Sequence, residues 1–298
     1  MPQTIVAVAI GTAQPPTLIS SNATIPSWAR KYINGFIGAF PHTLGTDYVI
    51  DYRQCPAAQL NTLFTSNLQA DYILCLSTTV LLTAAALVAI KPIIGMCSHP
   101  ENYPFGNQNN VCGVSAGRSD DADHAYRNLL RTLDPNLPTA TVLNDPNYPP
   151  STDSVQSIHN GGNHPNVVNV SGPTAIQNWI TNNANAGSGV LLLPVDWMFG
   201  AAQDIIGWTS RKKVLDFWLV TDWVQQAPTL SAFGGYGVPQ EKSGHYLAQQ
   251  VEAIWNGHRP SPVWRTVPQS ERAWKASQTR ATSAGVTLNQ HGGPVIVP

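Results

Sequence analysis

Short polar clusters follow the apolar runs of this chain, and chemistry would sit there. After Thr4–Ile10 come Gly11, Thr12, Ala13 and Gln14; after Tyr72–Leu76 come Ser77, Thr78 and Thr79; after Pro92–Cys97 come Ser98 and His99. In the second half Asn144, Asp145, Asn147 and Tyr148 follow one run, Asp196 and Trp197 a second, Thr221 and Asp222 a third. This set contains hydroxyls, amides, carboxylates and an indole, but no Lys or Arg to hold a phosphate. The three consecutive hydroxyls stand out. A helix that starts straight after a strand presents free N–H groups and a positive dipole end. Hydroxyls there either cap the helix or join its N–H groups in holding an anion. A cap needs one hydroxyl, and three are present.

Magnitudes limit what such a seat does. The dipole contributes about 0.3–1 kcal/mol, whereas micromolar binding needs about 8 kcal/mol. The seat would orient a carboxylate. Affinity would come from burying the ligand body, at about 25 cal/mol per Å² of apolar area. Tyr148, Trp197 and Tyr236 are candidate walls. Asp145, Asp196 and Asp222 offer an enzymatic alternative as an acid–base group or a metal site, but neither HExxH nor an EF-hand spacing accompanies them. G-x-G-x-x-G, the P-loop and the G-x-S-x-G elbow are absent as well. Cys97 and His99 do not form a nucleophile pair, because Cys97 belongs to the apolar run. Cys55, Cys75, Cys97 and Cys112 lack CxxC spacing and read as buried free thiols. No cofactor and no metal are expected.

The elements that must position these residues alternate. Strands are expected at Thr4–Ile10, 47–51, 71–76, 92–97, 111–115, 139–143, 166–170, 189–193 and 214–220. Helices are expected over about 26–40, 121–133, from Pro173, 197–210, 240–256 and 270–284, with a loose end after 292. Apolar runs alternating with helical periodicity indicate βαβ units and parallel sheets. The pattern runs twice, which predicts two α/β lobes.

The bulk properties agree. The 298 residues are 43% hydrophobic and only 11% charged, with a net charge of −1. A sizeable core can form, and nothing favours nucleic acid or an anionic membrane surface. No apolar run approaches the roughly 20 residues of a membrane span. Residues 1–19 lack the basic start and long apolar core of a signal peptide. The expected location is therefore extracytoplasmic if an export signal has been removed, and cytoplasmic otherwise.

Taken in order, several motifs give the chain a resemblance to the tryptophan/tyrosine-type substrate-binding proteins of ABC transporters. They are Asp71 with Tyr72–Leu76 and Thr78; Pro92 with His99-Pro100; Asn110-Val111-Cys112-Gly113; Thr141–Leu143 with Asp145-Pro146; Leu193-Pro194-Val195-Asp196; and Tyr236-Gly237-Val238 with Gly244 and Asn256-Gly257. The match spans about residues 3 to 288. Asp145 replaces an amide, Trp197 replaces a small polar residue, and about two extra residues separate Asp222 from Tyr236.

The resemblance implies a type I periplasmic-binding-protein fold: two Rossmann-like lobes joined by three crossovers, with a small ligand held between them. Lobe one would be 1–114 plus 231–258, lobe two 115–230 plus 259–285, and 286–298 a tail. Thr78 would hold a ligand carboxylate, with Ser77 and Thr79 beside it, and Asp222 or Asp196 would pair with an ammonium group. The partners implied are an amino-acid-like or other carboxylate ligand and the membrane permease of an ABC transporter. A ligand sensor of the same fold is the alternative, and a small-molecule enzyme using the aspartates a further one.

Overall fold

A computed structural model describes residues 1–19, 24–66, 68–105, 108–117, 120–133, 140–193, 196–225, 230–260, 264–288 and 294–298. Two compact units are present. One comprises Met1–Ala116 and Gln240–Val267, the other Gly117–Pro239 and Pro268–Pro298. The backbone thus passes from one to the other after Ala116, Pro239 and Val267.

The first unit begins with β1 (Gln3–Ile10), β2 (Gln14–Leu18), α1 (Ser27–Ala39), β3 (Tyr48–Cys55), α2 (Leu60–Thr65), β4 (Tyr72–Cys75), α3 (Thr78–Leu87), β5 (Ile93–Ser98) and β6 (Val111–Gly117). The second unit continues with α4 (Asp121–Leu133), β7 (Thr141–Asn144), α5 (Pro149–Asn160), β8 (Asn166–Asn169), α6 (Pro173–Asn183), β9 (Gly189–Leu192), α7 (Asp196–Lys212), β10 (Leu215–Trp218) and β11 (Gly234–Gly237). The chain returns to the first unit for α8 (Gln240–Trp255) and β12 (Trp264–Thr266). It closes in the second with β13 (Ala273–Ser277), α9 (Gln278–Ser283) and β14 (Val295–Val297). No helix among the described residues is long and apolar enough to cross a membrane.

Each unit builds one sheet. The first has the order β12-β6-β5-β4-β1-β3-β2, the second β14-β13-β11-β10-β9-β7-β8. β1 pairs parallel with β3 and β4, and Ile5 to Ala9 are wholly buried, as a strand covered on both faces requires. β2 runs antiparallel to β3 at the sheet edge, where Pro15 and Pro16 need donate no ladder hydrogen bond. In the second unit Arg280 of α9 is buried and reaches the Val214 carbonyl and Asp216 Oδ1, both at 2.7 Å. Trp218 Nε1 donates to the other oxygen of Asp216 at 2.7 Å. Burial pushes the Asp216 carboxyl up, and Arg280 pulls it back.

Four sequence expectations change. Residues 231–239 belong to the second unit, because β11 pairs with β10 and β13. Its sequence, GGYG, has too few side chains to declare a sheet. Residues 259–267 belong to the first unit, where β12 pairs parallel with β6. The stretch 270–284 is not one helix. It holds a 3-10 turn at Gln269–Glu271, then β13, and only Gln278–Ser283 is α-helical; pairing with β11 overrides helical periodicity. The tail is tied down as β14, parallel to β13. Strands β2 and β14 and helices α2 and α5 had no clear signal, and residues 134–139 lie outside the described residues.

Helices α1 and α8 of the first unit touch through two glycines. A Cβ on Gly35 would lie 1.9 Å from the Glu241 carbonyl oxygen, and one on Gly244 would lie 2.0 Å from that of Tyr32. Backbone cannot yield as a side chain can. Gly244→Ala is therefore expected to cost about 3 kcal/mol, the upper end of overpacking. A Cβ on Gly38 of α1 meets nothing within 4 Å, so Gly38→Ala is expected to gain about 0.5–1 kcal/mol. Urea unfolding of the two variants checks the contrast.

Candidate functional site

In the first unit the site starts at α3. Ser77 is the N-cap in extended conformation (φ −157°, ψ 163°), and its Oγ accepts from Val80 N at 3.4 Å. The Leu81 N–H bonds back to the Ser77 carbonyl at 3.1 Å. Helix geometry leaves the Thr78 and Thr79 N–H groups without an intrahelical acceptor. Thr78 is buried, and its Oγ1 accepts from Ser98 N at 3.0 Å. The hydroxyl accepts there through one lone pair and keeps its own O–H to donate. The first turn thus offers an anion its backbone amides, the Thr78 O–H and half-buried Thr79.

The Thr78–Ser98 bond leads into an unusual turn. His99 is 5% exposed and adopts the left-handed conformation (φ 55°, ψ 55°) immediately before Pro100. A non-glycine residue there costs about 1–2 kcal/mol, and strain of this kind persists only where its surroundings fix it. His99 Nδ1 lies 3.5 Å from Glu101 Oε1. Beyond the turn, a cavity of about 350 Å³ is lined by Pro100, Glu101, Tyr103, Phe105, Ser115, Trp264 and Thr266. On the other side of β4, Thr12, Ala13 and Gln14 are exposed. Gln54 Nε2 donates to the Thr12 carbonyl at 2.9 Å, and the Tyr52 hydroxyl donates to Gln54 Oε1 at 2.7 Å. Gln54, Glu101 and Trp264 were missed. β3 runs past its expected end at 51, and Trp264 sits in a strand too short to show alternation.

In the second unit Asp145 organises the rim. Its Oδ2 accepts from Trp197 Nε1 at 2.9 Å, and its Oδ1 accepts from Asn147 N at 3.0 Å and Ser171 Oγ at 3.2 Å. Its own N–H donates to Ser151 Oγ at 3.2 Å, and that hydroxyl donates to Asn144 Oδ1 at 2.9 Å. Asn144 Nδ2 reaches Asn169 Oδ1 at 3.0 Å, and Asn147 Nδ2 reaches Ser171 Oγ at 3.0 Å. Asp145 is 5% exposed; its carboxylate holds the indole of Trp197 in place. Tyr148 is the half-buried N-cap of α5. Asp222 is half-buried, and its carbonyl accepts from Gln225 Nε2 at 3.3 Å. The Asp196 side chain, with Pro194 and Val195, lies outside the described residues.

Tyr236 is a correction. It is buried in the core of the second unit, its ring stacks on His124 (centroids 6.0 Å apart, planes at 19°), and its hydroxyl bonds Gln269 Nε2. Burial, reinforced by the Asp121 carboxylate, raises its phenol. It is a packing residue, not a wall.

No group of three or more metal-ligating side chains is placed for an ion among the described residues. The four cysteines are free and buried, and burial raises the thiols of Cys55, Cys75 and Cys112, the last to about 12. Thiols held protonated are poor nucleophiles.

No family model and no curated protein matches the chain. Solved structures do. A conserved domain protein from Vibrio cholerae O1 biovar El Tor superposes with a TM-score of 0.77 at 14% identity, covering 100% of this chain and 99% of that one. The ABC domain from Streptococcus pneumonia in complex with L-Trp gives 0.76 at 13% identity, with complete coverage of both chains. A LacI family transcriptional regulator from Mycobacterium smegmatis gives 0.59 at 13% identity, covering 91% and 96%. The likeness establishes the fold: two α/β lobes with mostly parallel sheets, of the type I periplasmic-binding-protein kind.

Asp145→Asn places an amide N–H against the Trp197 indole N–H, or forfeits the Asn147 and Ser171 donors if the amide flips. It is expected to cost about 1–3 kcal/mol and to shift the Trp197 indole proton in the NMR spectrum. An unmoved indole resonance counts against the assigned role of Asp145.

Proposed function

We propose that this chain captures a small carboxylate-bearing ligand without converting it, and that a protein partner reads its occupancy. The observation that carries the proposal is the first turn of α3. Its cap is internal, its second hydroxyl is fixed by accepting from β5, and the Thr78 and Thr79 amides face an anion with it. Thr12 and Gln14 are the further candidates of the first unit, and the second unit has its own in Asn147, Tyr148, Trp197 and Asp222. The L-Trp in the pneumococcal relative supports an aromatic amino acid as the finer choice, with Asp222 facing the ammonium group. A buried charge left unpaired would cost too much.

Two uses of capture fit. One is delivery to the permease of an ABC transporter, outside the cytoplasm, which the likeness to the ABC domain in complex with L-Trp supports. The other is ligand sensing through partner contacts, and the likeness to LacI family regulators supports it. Both need the same capture step.

A thermal-shift screen against amino acids, aromatic acids and other small carboxylates supplies the ligand. At a hundred times Kd a true ligand stabilises by about 2.7 kcal/mol. Thr79→Glu then separates binding from folding. A carboxylate in the first helical turn stabilises the helix, so the melting temperature should hold or rise, while affinity for the carboxylate hit falls at least about tenfold, or 1.4 kcal/mol. Unchanged affinity in this variant would refute the seat.

A further inference from the structure

We propose that the cavity of the first unit, beside the Pro100–Asn102 turn, is a seat for an organic ammonium group. Its volume of about 350 Å³ is far above the ~30 Å³ share of one water and falls within the range of small-molecule pockets. Among the described residues, Glu101 is the one charged side chain that lines it. The Glu101 side chain is 56% exposed, and its approach to His99 Nδ1, at 3.5 Å, is longer than a good hydrogen bond. A carboxylate oxygen is therefore open to a guest. Tyr103 and Trp264 line it as well, and aromatic rings attract cations.

The Trp264 ring is held in advance. It packs on buried Phe105 with centroids 5.0 Å apart. It also lies over Gly113, its register partner in β6, where a Cβ would come within 2.6 Å of the indole. Ser115 and Thr266 add hydroxyls at the ends of β6 and β12. A carboxylate beside aromatic side chains favours a positive guest and repels an anionic one. The inference goes beyond the carboxylate-capture reading and stands on groups that the α3 seat does not use.

The test titrates the full chain with choline and with its neutral carbon isostere, 3,3-dimethyl-1-butanol, following heat and the Trp264 indole resonance. Choline should saturate in the millimolar range or below, and the isostere should bind at least about tenfold more weakly. Glu101→Gln should weaken choline by about tenfold or more, with Trp264→Leu weakening it further and the unfolding transition of the Glu101 variant unchanged. Equal binding of the isostere, no saturation by choline, or full affinity in Glu101→Gln would overturn the proposal. Choline carries no carboxylate, so its binding should survive Thr79→Glu. If the carboxylate screen fails while choline still requires Glu101, the cation seat stands and carboxylate capture falls; the reverse pattern removes only the cation seat.

Discussion

The hydrogen bond from Ser98 N to Thr78 Oγ1 fixes how the first unit presents itself to a ligand. It ties the start of α3, which follows β4, to the end of β5, the neighbouring strand. Without it the Ser98 N–H would be left unsatisfied in a part-buried site, at a cost of about 1–3 kcal/mol. With it, the first-turn amides point from a fixed place, and the chain beyond Ser98 enters the left-handed turn at His99. That turn in turn sets Glu101 at the cavity. The proposed anion seat and the proposed cation seat would thus share one buried hydroxyl as anchor, and Thr78→Val would disturb both. Thr79 is better suited to manipulation, because its side chain is half-buried and its helix position tolerates charge.

The second unit solves a similar problem with a carboxylate. Asp145 accepts from an indole, a backbone amide and a hydroxyl. These hold the loop after β7 against the start of α7. Its charge is spent on architecture, so Trp197 is placed but Asp145 is not free to be the ammonium partner. The more deeply buried Asp216–Arg280 pair does the same for the sheet itself. Removing Arg280 alone would leave an uncompensated charge, a loss of about 3–5 kcal/mol.

Much of this was legible in the residues, and the rest was hidden for physical reasons. β1 showed itself as a β-branched run, and the cap at Ser77 as a hydroxyl between strand and helix. The partner of Thr78 did not show, because a buried threonine facing a neighbouring strand and one facing a ligand have the same local sequence. Tyr236 failed for the same reason: the glycines around it mark a close approach of backbone, which suits a core strand as well as a binding edge. β13 read as helix because its pairing partner lies far away in sequence. Glu101 and Trp264 gave no signal, since the cavity they share joins residues more than 150 positions apart in the chain.

The central claim is that the α3 amides hold the negative end of the ligand. Backbone amide chemical-shift mapping, with the best carboxylate from the screen added to saturation, tests it most directly. The account expects the Thr78 and Thr79 amide protons to move downfield as new hydrogen bonds form, with smaller changes at Ser98. Saturable binding that leaves both amides unmoved, with its shifts gathered elsewhere in the chain, would contradict it.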